Sequence, residues 1–446
     1  MMLKRKAEQR INHWIKHPLR ALLVSGARQV GKTFTIRKCL KENNCDYVEI
    51  NLLQNREYIY ALEQANTIDD LKLNLSALQN VSFADNRTIL FIDEVQECRE
   101  IVTKIKFWVD DGRLKFILSG SLLGVELRNI RSAPVGYLDE IDMFPMDFEE
   151  FILASGVTEE TVAYLKDCYA LRKPVSEVVN SKMFTHLNRY LVVGGMPAAV
   201  NEYVETGNIW EVSLIQESIL RQYRLDFTKY ETEDKKLMLL SIFNQVPTQL
   251  MKQNKRFNYA DIQKGLRFER LEDSFLWLKY AGVVLATINT TEPRIALLQN
   301  AKNSLLKLYS SDVGLLTNQY GTSFRNNILF NIGGINLGGV YENFVAQELT
   351  VHGYPSYFYC NHNLGEIDFL IEHEGCALPI EVKSGKDYYV HSAITKAVNN
   401  KEYQTREGFV LANCNIEVKD KIVYFPVYMC AFICDRQEYP VLSLNI

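Results

Sequence analysis

Residues 26–33 read GARQVGKT (Gly26 to Thr33), which satisfies G-x-x-x-x-G-K-[ST] in full. Ahead of it, Ala21-Leu22-Leu23-Val24 is a short apolar run that predicts a buried strand. Behind it, Phe34 to Glu42 (FTIRKCLKE) predicts a helix. Strand, glycine loop and helix in that order form the setting in which this motif cradles phosphates. Gly26 and Gly31 remove Cβ from the turn, so the backbone through Ala27, Arg28, Gln29, Val30, Lys32, Thr33 and Phe34 can aim its N–H groups at one anion. The helix start adds partial positive charge. Lys32 is placed to reach the β- and γ-phosphates, and Thr33 to offer its hydroxyl to Mg²⁺. The bland alternative is a glycine-rich turn carrying a surface lysine.

Working outward, Thr88 to Glu94 reads TILFIDE, an apolar strand with two carboxylates at its C-terminal edge. Behind a phosphate loop, Asp93 is placed to join the Mg²⁺ shell and Glu94 to polarise the attacking water. Tyr47 to Asn51 (YVEIN), Lys115 to Leu118 (KFIL) and Leu138 to Phe144 (LDEIDMF) predict further strands of one parallel sheet. Lys115 to Leu118 runs into Ser119-Gly120-Ser121. Ser119 is read either as a sensor of the γ-phosphate or as a plain strand-to-loop turn. Arg128 and Arg131 follow on a charged segment, as surface arginines or as a finger reaching a neighbour's nucleotide.

The 446 residues suggest about three domains. Lys plus Arg is 50 and Asp plus Glu 54, a net charge of −4, which excludes coating nucleic acid by bulk positive charge. At 47% hydrophobic and 23% charged residues, disorder is excluded as well. No segment predicts a membrane helix. Val423 to Cys434 (VYFPVYMCAFIC) is too short and contains Pro426, and MMLKRKAEQR lacks the apolar core of a signal peptide. Nine cysteines without a CxxC pair read as reduced thiols of a cytoplasmic protein, and seven scattered histidines without HExxH argue against zinc.

With these motifs the chain resembles the bacterial and archaeal AAA-type ATPases whose C-terminal domain of unknown function is related to restriction endonucleases, the PD-(D/E)XK fold. The matching stretches are GARQVGKT, ILFIDEVQ, SGSLLGVELRNIRSAPVGYLDEIDMFPMDFEEF, LVVGGMPAAV, KLYSSDVGLL, YENFVAQEL, and GEIDF followed by IEVKSGK, in one order over nearly the whole chain. The resemblance implies an ATP- and Mg²⁺-dependent core and a nuclease-like end.

The expected fold is α/β in three parts: a P-loop parallel-sheet domain (1–150), a helical and winged-helix-like middle (151–330), and a restriction-endonuclease-like α/β domain (331–446). In the middle, Gly194-Gly195 and Pro197 predict a turn between helices. Glu217 to Tyr230 (ESILRQYRLDFTKY), with Arg221, Arg224 and Lys229, reads as a bundle helix or, alternatively, as the source of a finger. Helices at Thr248 to Arg256, Tyr259 to Leu266 and Leu271 to Ala281, then a strand at Val283 to Ile288, give a winged-helix order. Lys252, Lys255, Arg256, Lys264, Arg267 and Arg270 keep phosphate contact open there. A packing module is the alternative to a groove reader.

In the last part, Val340 to Leu349 predicts a helix bearing Glu342. Ser356 to Cys360, Glu366 to Ile371 and Leu378 to Lys383 predict strands, and Ile422 to Ile433 a buried edge strand. Glu381 and Lys383 alternate by two and share a face. Asp368 and Glu381, joined by Glu342, suit Mg²⁺ held through oxygen ligands, and Lys383 suits orienting or activating a bound water. A cross-strand salt bridge is the alternative. Two functions follow: an ATPase coupled to a DNA-engaging nuclease-like domain, or a nucleotide-controlled signalling or defence switch that binds a protein partner through an inert nuclease fold. Assembly of several copies fits either. A scaffold that holds nucleotide only for stability is a third reading.

Overall fold

The computed structural model describes residues 3–121, 136–227, 233–265, 267–361 and 364–434. The chain divides into two compact units, Met1–Pro145 with Asp273–Val283, and Met146–Glu272 with Val284–Ile446.

The first unit is built on five strands: β1 (Ala21–Ser25), β2 (Tyr47–Asn51), β3 (Ile89–Asp93), β4 (Lys115–Ser119) and β5 (Leu138–Asp142). Their order is β2-β3-β4-β1-β5 and every pairing is parallel. β3 is buried along its whole length, as its unbroken apolar run requires in a covered parallel sheet. Helices Lys32–Glu42, Glu57–Gln64, Ile68–Gln79 and Glu100–Asp111 provide the crossovers. Ile68, Leu71 and Leu75 pack with Ile101, Ile105 and Trp108 against Leu90, Ile92 and Phe116. The register sets Asn51 opposite Asp93, and Asp93 opposite Ser119, so three polar residues form one row at the C-terminal sheet edge.

The second unit begins with helices Phe148–Ala154, Glu159–Leu171, Glu177–Val193, Pro197–Thr206, Ile209–Phe227 and Glu233–Leu250. Gly194 ends the third and Pro197 opens the fourth, as the Gly-Gly and Pro signals predict. The unit then forms an eight-stranded mixed sheet. Its strands are β6 (Val284–Thr290), β7 (Ala301–Ser310), β8 (Tyr357–Asn361), β9 (Gly365–His373), β10 (Cys376–Val382), β11 (Gly408–Ala412), β12 (Glu417–Lys419) and β13 (Ile422–Pro426). The order is β12-β13-β11-β10-β9-β8-β6-β7. Helix Gly338–Val351 comes so close to the preceding chain that a Cβ on Gly339 would stand 2.2 Å from the Leu250 carbonyl oxygen.

Two expectations are corrected. The winged-helix order is not formed. The helix that begins at Glu233 ends at Leu250, Tyr259–Asp261 and Phe268–Arg270 are single 3₁₀ turns, and only Glu272–Tyr280 is an α-helix of the expected three. Leu266 lies outside the described residues. Chain that reads as helical instead pairs with a strand: Phe257 N–H donates to Leu306 O at 2.8 Å and Arg256 bridges Lys307. The hairpin β6–β7 joins the large sheet through a parallel pairing of β6 with β8. Likewise, Ile422–Ile433 is not an edge strand. β13 stops at Pro426, lies between β11 and β12, and gives way to a 3₁₀ helix over Val427–Phe432.

No described helix is long and apolar enough to cross a membrane. All nine cysteines are unpaired.

Candidate functional site

The phosphate loop is held by a backbone that only certain residues permit. Gly26 adopts φ +141°, and a Cβ there would lie 2.1 Å from Met143 O. Gly31 at φ +93° is the left-handed residue immediately before helix Lys32–Glu42, and Gln29 is also left-handed at φ +64°. No side chain caps this helix start, which leaves the leading amides at Lys32, Thr33 and Phe34 for an anion. Phe34 itself is exposed, while Ala27 and Val30 are buried. Arg5 fixes the loop from outside: its guanidinium donates to Val30 O and to Phe144 O, both at 2.7 Å.

The Lys32 ammonium lies inside the loop, donating to Ala27 O at 2.8 Å and Gly26 O at 3.0 Å. Burial pushes its pKa down to about 8, with Glu94 and then Asp93 pulling it upward and Arg28 lowering it. Asp93 is the hub of the row. Its Oδ2 accepts from Thr33 Oγ1 at 3.0 Å and Asn51 Nδ2 at 3.2 Å. Its Oδ1 accepts from the Ser119 hydroxyl and from Glu94 N–H. Glu94 sits in the left-handed region, φ +60°, and its Oε2 accepts from Gln96 Nε2 at 2.5 Å. Ser119 therefore holds Asp93. Ser121 is buried nearby with no hydrogen-bond partner for its hydroxyl among the described residues.

Sequence reasoning missed Arg5, Asn51 and Gln96. Asn51 carried one signal, as the last polar residue of an alternating strand; Arg5 carried none. It also missed Gly282 (φ +70°), where a Cβ would stand 3.1 Å from the Ala27 amide nitrogen. Arg128, Arg131 and Lys229 lie outside the described residues. Arg224 donates to Asn244 and lies over the Phe243 ring, the behaviour of a bundle-helix residue.

In the second unit the structure brings Glu342, Asp368, Glu381 and Lys383 together. Helix Gly338–Val351 carries Glu342, β9 Asp368, β10 Glu381, and Lys383 follows directly. Lys383 Nζ is 2.7 Å from Glu381 Oε1. Asp368 Oδ2 accepts from Val382 N–H at 3.0 Å. Burial, then the neighbouring Asp368, pushes Glu381 up to about 8, and the same two causes raise Glu342. Two lysines complete the cluster. Lys255, singled out in the sequence only for phosphate contact, pairs with Glu342 at 2.6 Å. Lys307, not singled out at all, is buried among Glu342, Glu366 and Asp368. Among the described residues no three His, Cys, Asp or Glu side chains form a ready metal cage. One observation does suit a cation: Glu381 Oε2 is buried and has no hydrogen-bond partner among the described residues.

An all-parallel sheet, a glycine loop at a helix start and an Asp-Glu pair at the neighbouring strand's edge define a P-loop nucleotide-binding domain. In accord, residues 19–152 match the family of AAA domains (AAA_14), and the amino-terminal unit is an AAA-type P-loop domain. Residues 184–325 and 337–429 match two domains of unknown function, DUF8612 and DUF4143. No curated protein sequence matches the chain. Among solved structures, a Walker-type ATPase of Pyrococcus abyssi is 15% identical over 72% of this chain and 96% of that one, with a TM-score of 0.44. A katanin structure concerned with self-assembly is 14% identical over 36% of this chain and 56% of its own, TM-score 0.23. The FIGL-1 AAA domain in complex with ADP is 14% identical over 36% and 64%, TM-score 0.24.

Proposed function

We propose that the chain is an ATP hydrolase that uses Mg²⁺ in its amino-terminal unit. The observation that carries this is the row Asn51–Asp93–Ser119 aimed at Thr33, with Lys32 inside the loop. The loop fits a triphosphate, because the Lys32 ammonium now rests on carbonyls of the turn whose amides would bind phosphate. Thr33 and Asp93 would hold Mg²⁺, which when bound would neutralise charge on the phosphate oxygens. Asn51 and Ser119 keep the Asp93 carboxylate oriented, and Arg5 keeps the loop closed at Val30. Glu94 takes the proton of the attacking water once released from Gln96, and the unpartnered Ser121 hydroxyl is a candidate for contact with phosphate. Lys32→Ala should abolish phosphate release and weaken binding. Glu94→Gln should keep binding and slow turnover about 10²–10⁴-fold. Wild-type turnover that Lys32→Ala leaves unchanged refutes the assignment.

For the second unit the reading is a DNA-engaging, nuclease-like site, with Glu342, Asp368 and Glu381 as Mg²⁺ ligands and Lys383 orienting the water. The convergence of these four residues supports it. The lysines packed among the carboxylates favour the other reading, a nucleotide-controlled switch that binds a protein partner while the nuclease fold stays inert. Plasmid nicking with Mn²⁺ that is lost in Asp368→Ala supports cleavage. The absence of salt-dependent DNA binding in every nucleotide state supports the switch. A cytoplasmic location fits nine unpaired thiols.

A further inference from the structure

The carboxylate cluster of the second unit already contains a cation. Lys307 lies within β7, paired with Thr287 of β6, and is fully buried. Its ammonium stands 2.7 Å from Glu366 Oε1, 3.3 Å from Asp368 Oδ1 and 3.7 Å from Glu342 Oε2. The Phe358 ring lies beside it, its centroid 5.2 Å away. A lysine is fully buried only where opposite charge compensates it. Here three carboxylates surround one ammonium.

The other oxygens are also committed. Glu342 Oε1 meets Lys255 at 2.6 Å, and Glu342 Oε2 accepts from the Tyr309 hydroxyl at 3.2 Å. Asp368 Oδ2 accepts from Val382 N–H, and Glu381 Oε1 meets Lys383. Within this cluster, Glu381 Oε2 is buried without a hydrogen-bond partner among the described residues.

We propose that Lys307 is the resident cation of this cluster, and that it sets the affinity for a divalent metal by competing for the oxygens that would bind it. The proposal rests on the reading that Glu342, Asp368 and Glu381 are cation ligands. A hard divalent ion is held by several carboxylate oxygens at once. Asp368 Oδ1 and Glu342 Oε2 both face Lys307, so an ion using them meets the ammonium's repulsion. Lys255 reaches Glu342 from the irregular chain after Leu250 and can withdraw. Lys307 is fully buried, on a paired strand and ringed by carboxylates, so its ammonium has no solvent-facing position to turn to. The competition is therefore built into the sheet.

The test uses the full chain without nucleotide and Mn²⁺ as the probe. Lys307→Met keeps the length and the apolar stem of the side chain and removes its charge. Calorimetric titration should show Mn²⁺ binding about tenfold tighter or more than in wild type. Adding Asp368→Asn should cancel that gain. Mn²⁺ should also raise the melting temperature of Lys307→Met by more than that of wild type, since the ion restores lost compensation. If the variant folds only when Mn²⁺ is supplied, the substitution of one cation for another is seen directly. Failure to fold with or without Mn²⁺ counts against it. Equal affinity in wild type and Lys307→Met, with binding still lost in Asp368→Asn, overturns the role of Lys307 and leaves the carboxylate site standing. Absence of any Asp368-dependent Mn²⁺ binding overturns both.

Discussion

Lys32 is where burial and charge oppose each other most directly. Its pKa in the nucleotide-free protein is lowered to about 8, chiefly by burial. Carrying the proton in the folded state therefore has a cost. That cost is full below about pH 8 and is relieved as pH rises from there towards the ordinary 10.5. Triphosphate oxygens favour the ammonium, so binding should take up protons above about pH 8 and weaken as pH rises further. Calorimetry above that pH, in two buffers of different ionisation enthalpy, reads the uptake; equal heats would refute it. Arg5 has a different task, with two 2.7 Å bonds to carbonyls at Val30 and Phe144. Arg5→Ala leaves both acceptors unpaired and should cost about 1–3 kcal/mol in a urea melt. Nucleotide affinity should fall with it, although no motif residue is altered.

At the scale of elements, strand register makes the site. Parallel pairing of β2, β3 and β4 aligns Asn51, Asp93 and Ser119. Asn51→Leu keeps the side-chain size but removes one donor to Asp93, and should reduce turnover more than nucleotide affinity, as steady-state phosphate release and equilibrium binding would show. The helix Glu272–Tyr280 contributes through Gly282, whose φ of +70° and 3.1 Å approach to the Ala27 amide leave little room for a side chain. Gly282→Val should cost about 1–3 kcal/mol of stability and weaken ATP binding. A variant that melts and binds like wild type would show the approach to be incidental.

For the whole molecule, the residue ranges of the two units make a prediction. Asp273–Val283 belongs with the phosphate-loop unit although more than a hundred residues separate it in sequence from Pro145. In Glu94→Gln, ATP should slow amide hydrogen exchange at residues 26–33, 93–94 and 119–121, and also at 279–283. Exchange at 279–283 that ignores ATP would place that segment outside the nucleotide's influence.

Motif and apolar pattern alone locate the glycine loop, the Asp-Glu strand end and all five strands of the first sheet, within a residue or two at each end. The loop is legible because its tight turn needs glycine, the central strands β1, β3 and β4 because a covered parallel strand is an apolar run, and the edge strand β2 because apolar and polar residues alternate along it. Asp368, Glu381 and Lys383 are legible as neighbours because they stand on two successive strands, whereas Glu342 joins them in the sequence only through the family resemblance. Their surroundings come from chain folding that no local pattern encodes. Arg5 reaches Phe144 across 139 positions, and Lys307 reaches Asp368 across 61. The tract after Leu250 reads as helix because propensity is local. Arg256 instead bridges Lys307, next to Phe257 whose N–H donates to Leu306, and no periodicity records pairing with a strand that comes later in the chain.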